Sequence, residues 1–134
     1  MTVQRELVRR IDRHLIAAGA RPVHISELCD HFKVSRRTLH RAFHDVMGIG
    51  PIAYLRRKRL DDVRAVLLTA DLGVKIGDIA RAHGFHEGGH FAVYYRRTFG
   101  ELPSQTLQRS RRRGVQQRDA GGRDDEPYTT NGQP

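Results

Sequence analysis

Residues 25–55 have the sequence ISELCDHFKVSRRTLHRAFHDVMGIGPIAYL, and residues 76–107 have the sequence IGDIARAHGFHEGGHFAVYYRRTFGELPSQTL. The second stretch repeats the apolar and chain-breaking positions of the first, at an offset of 51 residues before the turn and 52 after it. The matched pairs are Ile25/Ile76, Leu28/Ile79, Cys29/Ala80, Val34/Phe85, Leu39/Phe91, Phe43/Tyr95, Met47/Phe99, Gly48/Gly100, Pro51/Pro103 and Leu55/Leu107. An internal repeat of this kind governs the interpretation of any shorter motif inside it.

Each copy has the pattern of a helix-turn-helix unit. Apolar residues recur three or four positions apart over two short stretches, which is typical of two helices that each bury one face. A tight turn separates the stretches and Gly-x-x-Pro closes each copy, as expected where one helix ends and another begins. The sequence therefore predicts a first helix-turn-helix over residues 25–46 and a second over residues 76–99.

A long helix is predicted between the two units. Pro51 is a favourable first helical residue, and apolar residues keep a helical period from there to Thr69. Another amphipathic helix is predicted at the start of the chain, where Val3, Leu7 and Ile11 lie four residues apart. Since no stretch alternates with period two, the predicted fold class is all-α, with two helix-turn-helix units joined by a linker helix over residues 51–69.

The chain changes character after Leu107. Residues 110–134 are rich in glycine and charge and have almost no aliphatic side chains. Such a composition cannot bury enough apolar surface to offset the entropy of ordering the chain. We therefore expect residues 110–134 to form a disordered basic and polar tail.

Charge and cysteine content narrow the class of protein. The chain has 24 Lys and Arg against 15 Asp and Glu, a formal charge of +9, which favours a polyanionic partner such as nucleic acid or an acidic membrane surface. A single cysteine, Cys29, excludes an internal disulfide framework, and the chain has no apolar run that could span a bilayer or act as a secretion signal. These features predict a cytoplasmic protein.

The second helix of the first unit presents a basic face. If Leu39 and Phe43 point inward, Arg37, His40 and Arg41 lie together on the opposite face, with His44 one turn further along. Arginine can donate two hydrogen bonds to O6 and N7 of guanine in the major groove, and histidine can also contact a base edge. A plain solvated face is the alternative, but the repeat favours a recognition helix.

The second unit differs at the equivalent positions. Gly89, Ala92 and Val93 correspond to Arg37, His40 and Arg41, so this face can contact a thymine methyl group but has few hydrogen-bonding groups. Contacts to the DNA backbone are expected from eight further residues, which are Ser35, Arg36, His44, Arg56, Arg57, His90, Arg96 and Arg97. Some residues of the basic run at positions 56–59 are alternatively only solvated surface.

Residues 7–108 closely resemble the AraC/XylS-type DNA-binding domain. The resemblance rests on the first unit, on Gly-x-x-Pro-x-x-Tyr-Leu at the start of the linker helix, and on the ordered signature IA…GF…F…FG…P in the second unit. Two departures lie in the second recognition helix. Gly89, His90 and Phe91 replace the common Ser-x-Phe, and Val93 stands where the family often has arginine.

The resemblance implies a bacterial transcription regulator with a seven-helix, homeodomain-like fold. It implies double-stranded DNA as the partner, and RNA polymerase is the expected protein partner. No membrane, cofactor or metal is expected. It also implies that the six base-contacting positions are Arg37, His40, Arg41, Gly89, Ala92 and Val93. Most members carry an effector-binding or dimerisation domain ahead of this region, and only six residues precede the match here. We therefore expect the effector ligand and the dimerisation domain to be absent from this chain, whether it is a complete regulator or part of a longer one.

The principal enzyme alternative is a zinc peptidase. Residues 86–90 spell HExxH, the pattern that places two zinc-binding histidines on one helical face with a glutamate as general base. The extended form of the motif needs Gly at position 93 and His at 96, where this chain has Val93 and Arg96. Two adjacent glycines also weaken the helix that would have to hold the ligands.

A non-specific RNA binder and a membrane-surface protein are the remaining alternatives. RNA recognition usually needs exposed aromatic side chains for stacking, whereas the aromatics here fall on predicted core positions. A membrane-surface helix needs a wide apolar face, whereas the apolar residues of the basic linker helix are assigned to the core. Both alternatives are weaker than duplex DNA binding.

Overall fold

The computed structural model describes residues 2–70, 73–86 and 89–113. Six helices run over Val3–Ala18 (α1), Ile25–Phe32 (α2), Arg36–Met47 (α3), Pro51–Leu68 (α4), Ile76–Ala82 (α5) and Phe91–Phe99 (α6). A seventh, α7, covers residues 103–113, and the described residues contain no strand. The predicted all-α fold with seven helices is confirmed, and no described helix is both long and apolar enough to cross a bilayer.

The helix ends follow local chemistry that the sequence displays. The side chain of Ser35 caps α3 by accepting a hydrogen bond from the Thr38 amide at 3.1 Å, and Pro51 begins α4. Gly48 and Gly100 end α3 and α6 in the left-handed region, with φ of 75° and 76°. Because glycine adopts that conformation without a Cβ clash, the second helices of both units stop at equivalent positions of the repeat.

The interior is divided into two hydrophobic clusters that share α4. The first joins α1, α2 and α3 to the start of α4 and ends at Leu55, whereas the second begins at Leu60 and takes in α5, α6 and α7. Phe43 and Tyr95 occupy the same position of the repeat, and each is fully buried in its own cluster. Each helix-turn-helix therefore has a core of its own, and the linker helix contributes one half of its length to each.

The last helix extends beyond the predicted end of the folded region. The sequence placed the domain boundary at residue 108 and a disordered tail from residue 110, but α7 is helical through residue 113. Leu107 is buried in the second cluster, and the Ser110 hydroxyl donates to the Leu68 carbonyl at 2.8 Å. These contacts with the end of α4 hold α7, so the prediction of disorder is wrong for residues 110–113. The rest of the predicted tail lies outside the described residues.

A buried pair of hydroxyl groups inside the second cluster allows a stability prediction. The Tyr95 hydroxyl donates to Thr106 Oγ1 at 2.7 Å, and both residues are fully buried. Tyr95→Phe is expected to lower the free energy of unfolding by about 1 to 3 kcal/mol, because the Thr106 hydroxyl then stays buried without its partner. Urea denaturation measures the change, with Tyr94→Phe at a partly exposed ring as the control. Equal effects of the two substitutions would contradict the assignment.

Candidate nucleic-acid interface

The outer face of α3 is a continuous basic surface. Leu39, Ala42 and Phe43 are buried, and this turns the other side of the helix to solvent. Exposed side chains on that side are Arg36, Arg37, His40, Arg41 and His44. The three arginines make no ion pair with any residue that the structure describes. Their positive charge is therefore available to an external anion.

Two histidines of this face are packed against each other. The ring centroids of His40 and His44 lie 4.3 Å apart at an angle of 52°. A Cβ at Gly50 would lie 3.5 Å from His44 Nε2 and 3.6 Å from His40 Cε1, so any side chain at this position would contact both rings. Glycine at position 50 therefore leaves this side of both imidazoles without a side chain against it.

The second recognition helix lacks the first turn that α3 has. α3 has 12 residues and α6 has nine, although they end at equivalent glycines. Gly89 therefore lies ahead of α6 and is not the structural counterpart of Arg37 within a helix. A Cβ at Gly89 would lie 3.0 Å from the His86 carbonyl oxygen. This short distance between the His86 carbonyl and a Cβ at position 89 explains why glycine is found there.

The exposed face of α6 combines small apolar side chains with two arginines. Ala92 and Val93 are exposed, and Arg96 and Arg97 follow them one helical turn later. Neither arginine forms an ion pair with a described residue. His90 precedes the helix as its N-cap residue, and its ring is nearly perpendicular to that of Tyr94, with 6.2 Å between the centroids. The four residues of α6 that the sequence predicts to contact DNA bases or the DNA backbone are thus all exposed on this helix, and Gly89 and His90 lie just ahead of it.

The two histidines of the HExxH pattern do not lie on a helix. His86 is outside any regular element and His90 is the N-cap of α6, so the helical spacing that a zinc peptidase needs for its two ligands is not formed by these residues. Over residues 2–70, 73–86 and 89–113, no three His, Cys, Asp or Glu side chains are grouped as metal ligands would be.

The basic run of α4 is largely engaged with the protein itself. The guanidinium carbon of Arg56 lies 4.0 Å from the centre of the Tyr94 ring, and that of Arg57 lies 5.3 Å from the centre of the Phe99 ring. Arg57 Nε also donates to Asp61 Oδ1 at 3.1 Å. Both arginines therefore hold α6 against the linker helix through cation–π contacts. The sequence predicted phosphate contacts or a solvated surface for these positions, and it could not show which helix lies beside them.

The other two residues of the run reach the loop between α1 and α2. Lys58 Nζ donates to the Gly19 carbonyl and to Asp62 Oδ2, each at 2.8 Å. Arg59 Nη2 donates to the Val23 carbonyl at 2.6 Å, and burial lowers the pKa of its guanidinium. The alternative of a simple solvated surface is therefore wrong for Lys58 and Arg59.

A partly exposed ion pair joins α2 to that loop. Arg21 donates to both carboxylate oxygens of Glu27 at 2.8 and 2.9 Å, and His14 Nε2 lies 2.8 Å from the same carboxylate. The hydrogen bond from Arg21, followed by the contact with His14, lowers the pKa of Glu27 to about 2. Because the folded state favours the charged form, Glu27 stabilises the fold above its unfolded-state pKa, and that contribution is lost as the pH falls towards 2.

Glu27→Gln is therefore expected to have a lower free energy of unfolding than the unchanged chain at pH 7. The difference between the two proteins should disappear between about pH 5 and pH 2, as Glu27 becomes protonated in the unchanged chain. Urea midpoints of both proteins across this range measure the difference. Glu6→Gln, which removes a carboxylate 3.9 Å from Arg9 on an exposed surface, is the control. A deficit of constant size down to the lowest pH would mean that the Glu27 charge is not involved.

Comparison with known proteins supports the sequence-based resemblance. A family described as a helix-turn-helix domain matches residues 28–109. The chain is 34% identical to a solved structure described as a probable AraC family transcriptional regulator from Rhodopseudomonas palustris, with a TM-score of 0.70. That similarity covers 78% of this chain and 97% of the solved one.

Two curated relatives are named as transcriptional activators. The XylDLEGF operon transcriptional activator 2 of Pseudomonas putida is 38% identical over 88 residues, or 65% of this chain and 56% of that protein. The activator RhaS of Yersinia pestis is 39% identical over 77 residues, or 58% of this chain and 28% of that protein. The chain thus spans little more than half of one relative and less than a third of the other.

Proposed function

Because the chain belongs to the AraC/XylS-type family of helix-turn-helix transcription regulators, we propose that it binds double-stranded DNA sequence-specifically and regulates transcription. The observation that supports this most strongly is the exposed face of α3, whose three arginines have no partner among the described residues. α4 has 18 residues and is therefore about 27 Å long at 1.5 Å per residue. This is comparable to the roughly 34 Å between successive major-groove faces, so α3 and α6 are proposed to enter neighbouring grooves.

We assign direct base contacts mainly to the first unit. Arg37 and Arg41 have the fork of donors that pairs with guanine, and His40 lies between them on the same exposed face. In the second unit, Ala92 and Val93 would contact thymine methyl groups. Gly89 precedes α6, so its contact would be made by backbone atoms in the turn. The second unit is therefore proposed to position the protein more than to select bases.

RNA polymerase is the proposed protein partner, and the bacterial cytoplasm the proposed site of action. Two relatives are named as transcriptional activators, and activation requires that a DNA-bound regulator influences the polymerase. The proposal involves no metal ion and no catalysis.

A binding experiment with four arms tests the proposed function. Duplexes selected by the chain from a random pool are labelled and compared by fluorescence anisotropy with scrambled duplex, hairpin RNA and anionic vesicles, with and without a chelator. We expect the selected duplex to bind at least about 1,000-fold more tightly than the scrambled one, with no effect of the chelator. Failure to enrich any duplex, tighter binding to RNA or vesicles, or loss of binding on chelation would contradict the proposal.

Contacts to the DNA backbone predict a change in salt dependence. Arg97→Ala is expected to weaken binding to specific and random duplex alike and to reduce the slope of log K against log salt by about 1, because one phosphate is no longer neutralised. Arg56 and Arg57 are expected to behave in the same way, through the edges of their guanidinium groups. Arg13→Ala, at an exposed position of α1, removes the same charge away from the proposed interface. Equal slopes for Arg97→Ala and Arg13→Ala would contradict the contact.

A further inference from the structure

The loop between α1 and α2, residues 19–24, lies at the junction of the two units. From the linker helix, Lys58 donates to the Gly19 carbonyl at 2.8 Å and Arg59 donates to the Val23 carbonyl at 2.6 Å. Val23 is itself buried in the first cluster. The loop is therefore fixed to α4 at both of its ends, beside the point where the first cluster gives way to the second.

The same loop touches the second helix-turn-helix. Gly84 follows α5 with a φ of +92°, and a Cβ built on it would lie only 3.2 Å from Pro22 Cβ. It would also lie 3.5 Å from Arg59 Nε. Pro22 of the first unit, Gly84 of the second and the guanidinium of the linker helix therefore meet at one place, where a glycine permits the close approach.

The burial of part of the Arg59 guanidinium is unfavourable for folding. Its Nε is buried and has no hydrogen-bond partner, and a buried donor without a partner is unfavourable. Leu55 and Leu60, its near neighbours in sequence, belong to different clusters. Arg59 is therefore placed where one hydrophobic cluster ends and the other begins. Its hydrogen bond to the Val23 carbonyl joins the linker helix to the loop that contacts Gly84.

We propose that Arg59, Pro22 and Gly84 form a clamp that fixes the two helix-turn-helix units relative to each other and thereby sets the half-site spacing that the chain accepts. This rests on the proposed DNA-binding function. One base pair changes the direction of a half-site by about 34° and its distance by about 3.4 Å, since a helical turn has 10 to 10.5 base pairs. A rigid pair of units tolerates such a change poorly, whereas a loose pair can follow it. In this scheme Arg59 is a positioning residue and does not touch DNA.

A spacing series tests the clamp. The duplex selected by the full chain is rebuilt with one or two base pairs inserted or removed between its two halves, and the dissociation constants are compared. We expect the unchanged chain to lose about tenfold in affinity per base pair of misplacement, the equivalent of about 1.4 kcal/mol. Arg59→Met, which keeps a long apolar stem but removes the guanidinium, is expected to flatten this dependence to about threefold or less.

Two further variants separate the clamp from a general loss of stability or charge. Pro22→Gly removes the two ring carbons that face Gly84 and leaves both loop carbonyls bound to α4, so it is expected to fold and to flatten the spacing dependence as well. Arg64→Met removes a charge from the same helix, but Arg64 contacts Glu101 and Phe99 within the second unit. It is expected to keep the original spacing profile.

The outcomes distinguish the clamp from the function on which it rests. If the unchanged chain selects a two-part duplex with a sharp spacing optimum, and the folded Arg59→Met or Pro22→Gly proteins keep that optimum, the clamp is wrong and the function stands. If the unchanged chain selects no duplex, the function itself is wrong. Residual dipolar couplings of both units provide an independent measurement, since loss of the clamp is expected to average their relative orientation. A single fixed orientation in Pro22→Gly would overturn the clamp.

Discussion

Replacing Arg41 with alanine is expected to weaken binding to the preferred duplex by roughly 1 to 3 kcal/mol, which is about 5- to 150-fold in the dissociation constant, and Arg37→Ala is expected to do the same. Both side chains are exposed on α3, so their removal leaves the core of the first unit intact. The loss is expected to fall on base choice in one half of the site, because a bidentate contact with guanine is what distinguishes that base pair.

The corresponding substitutions in α6 are expected to have smaller effects. Ala92→Ser and Val93→Ser remove no paired hydrogen bond, and any preference that they abolish should concern A·T pairs whose methyl group was contacted. A binding-site selection with each variant, compared position by position, measures this. The information content of the half contacted by the first unit should drop with Arg41→Ala and be unchanged with Val93→Ser. Equal information in both halves for the unchanged chain would contradict the assignment of base contacts mainly to the first unit.

The proposed inequality of the two units in base recognition has a structural basis as well as a chemical one. α6 begins three residues later in the repeat than α3 does, so the first turn of the second recognition helix is missing. In α3 that turn carries Arg36 and Arg37. Even with arginine at position 89, the second unit would present it from a loop and not from a helix. The side chains of the second unit that we propose to contact bases therefore begin at Ala92, and Gly89 could contribute only backbone atoms.

The sequence predicted the helices well because their ends depend on local chemistry. Ser35 as a cap, Pro51 as a first residue and Gly48 as a left-handed terminus act within a few residues of their own position. The exposed face of α3 could be predicted from the helical spacing of its apolar residues. The first residue of α6 was harder to predict from the sequence, because the turn ahead of it brings Gly89 close to the His86 carbonyl.

Contacts between distant segments could not be predicted in the same way. Arg56, Arg57 and Arg59 lie within four residues of the sequence and are chemically alike, yet their partners are Tyr94, Phe99 and the Val23 carbonyl. The packing of the two clusters decides which face of α4 each unit covers. The repeat in the sequence does not reveal how the two units pack on this helix. The extension of α7 to residue 113 has the same cause, because it depends on the contact of Ser110 with Leu68.

The largest loss of stability is expected from Phe43→Ala in the first cluster. Phe43 is fully buried, and its ring centroid lies 5.1 Å from that of Tyr54. Truncation to alanine removes the ring and leaves a cavity, which is expected to lower the free energy of unfolding by roughly 3 to 5 kcal/mol. Domains of this size are stable by about 5 to 15 kcal/mol in total, so the first unit is expected to keep little of its stability.

Because the second cluster has its own buried residues, from Leu60 to Leu107, the damage is expected to be uneven. Native-state hydrogen exchange should show protection lost in α1 to α3 and largely kept in α5 to α7. Specific binding should also be lost, because α3 carries the proposed base contacts. Phe43→Leu, which retains most of the volume, is expected to lose much less stability and to keep specific binding. Tyr95→Ala at the equivalent position should give the converse exchange pattern, with protection lost in the second unit. Simultaneous loss of protection in both units with either alanine variant would show that the two clusters unfold as one.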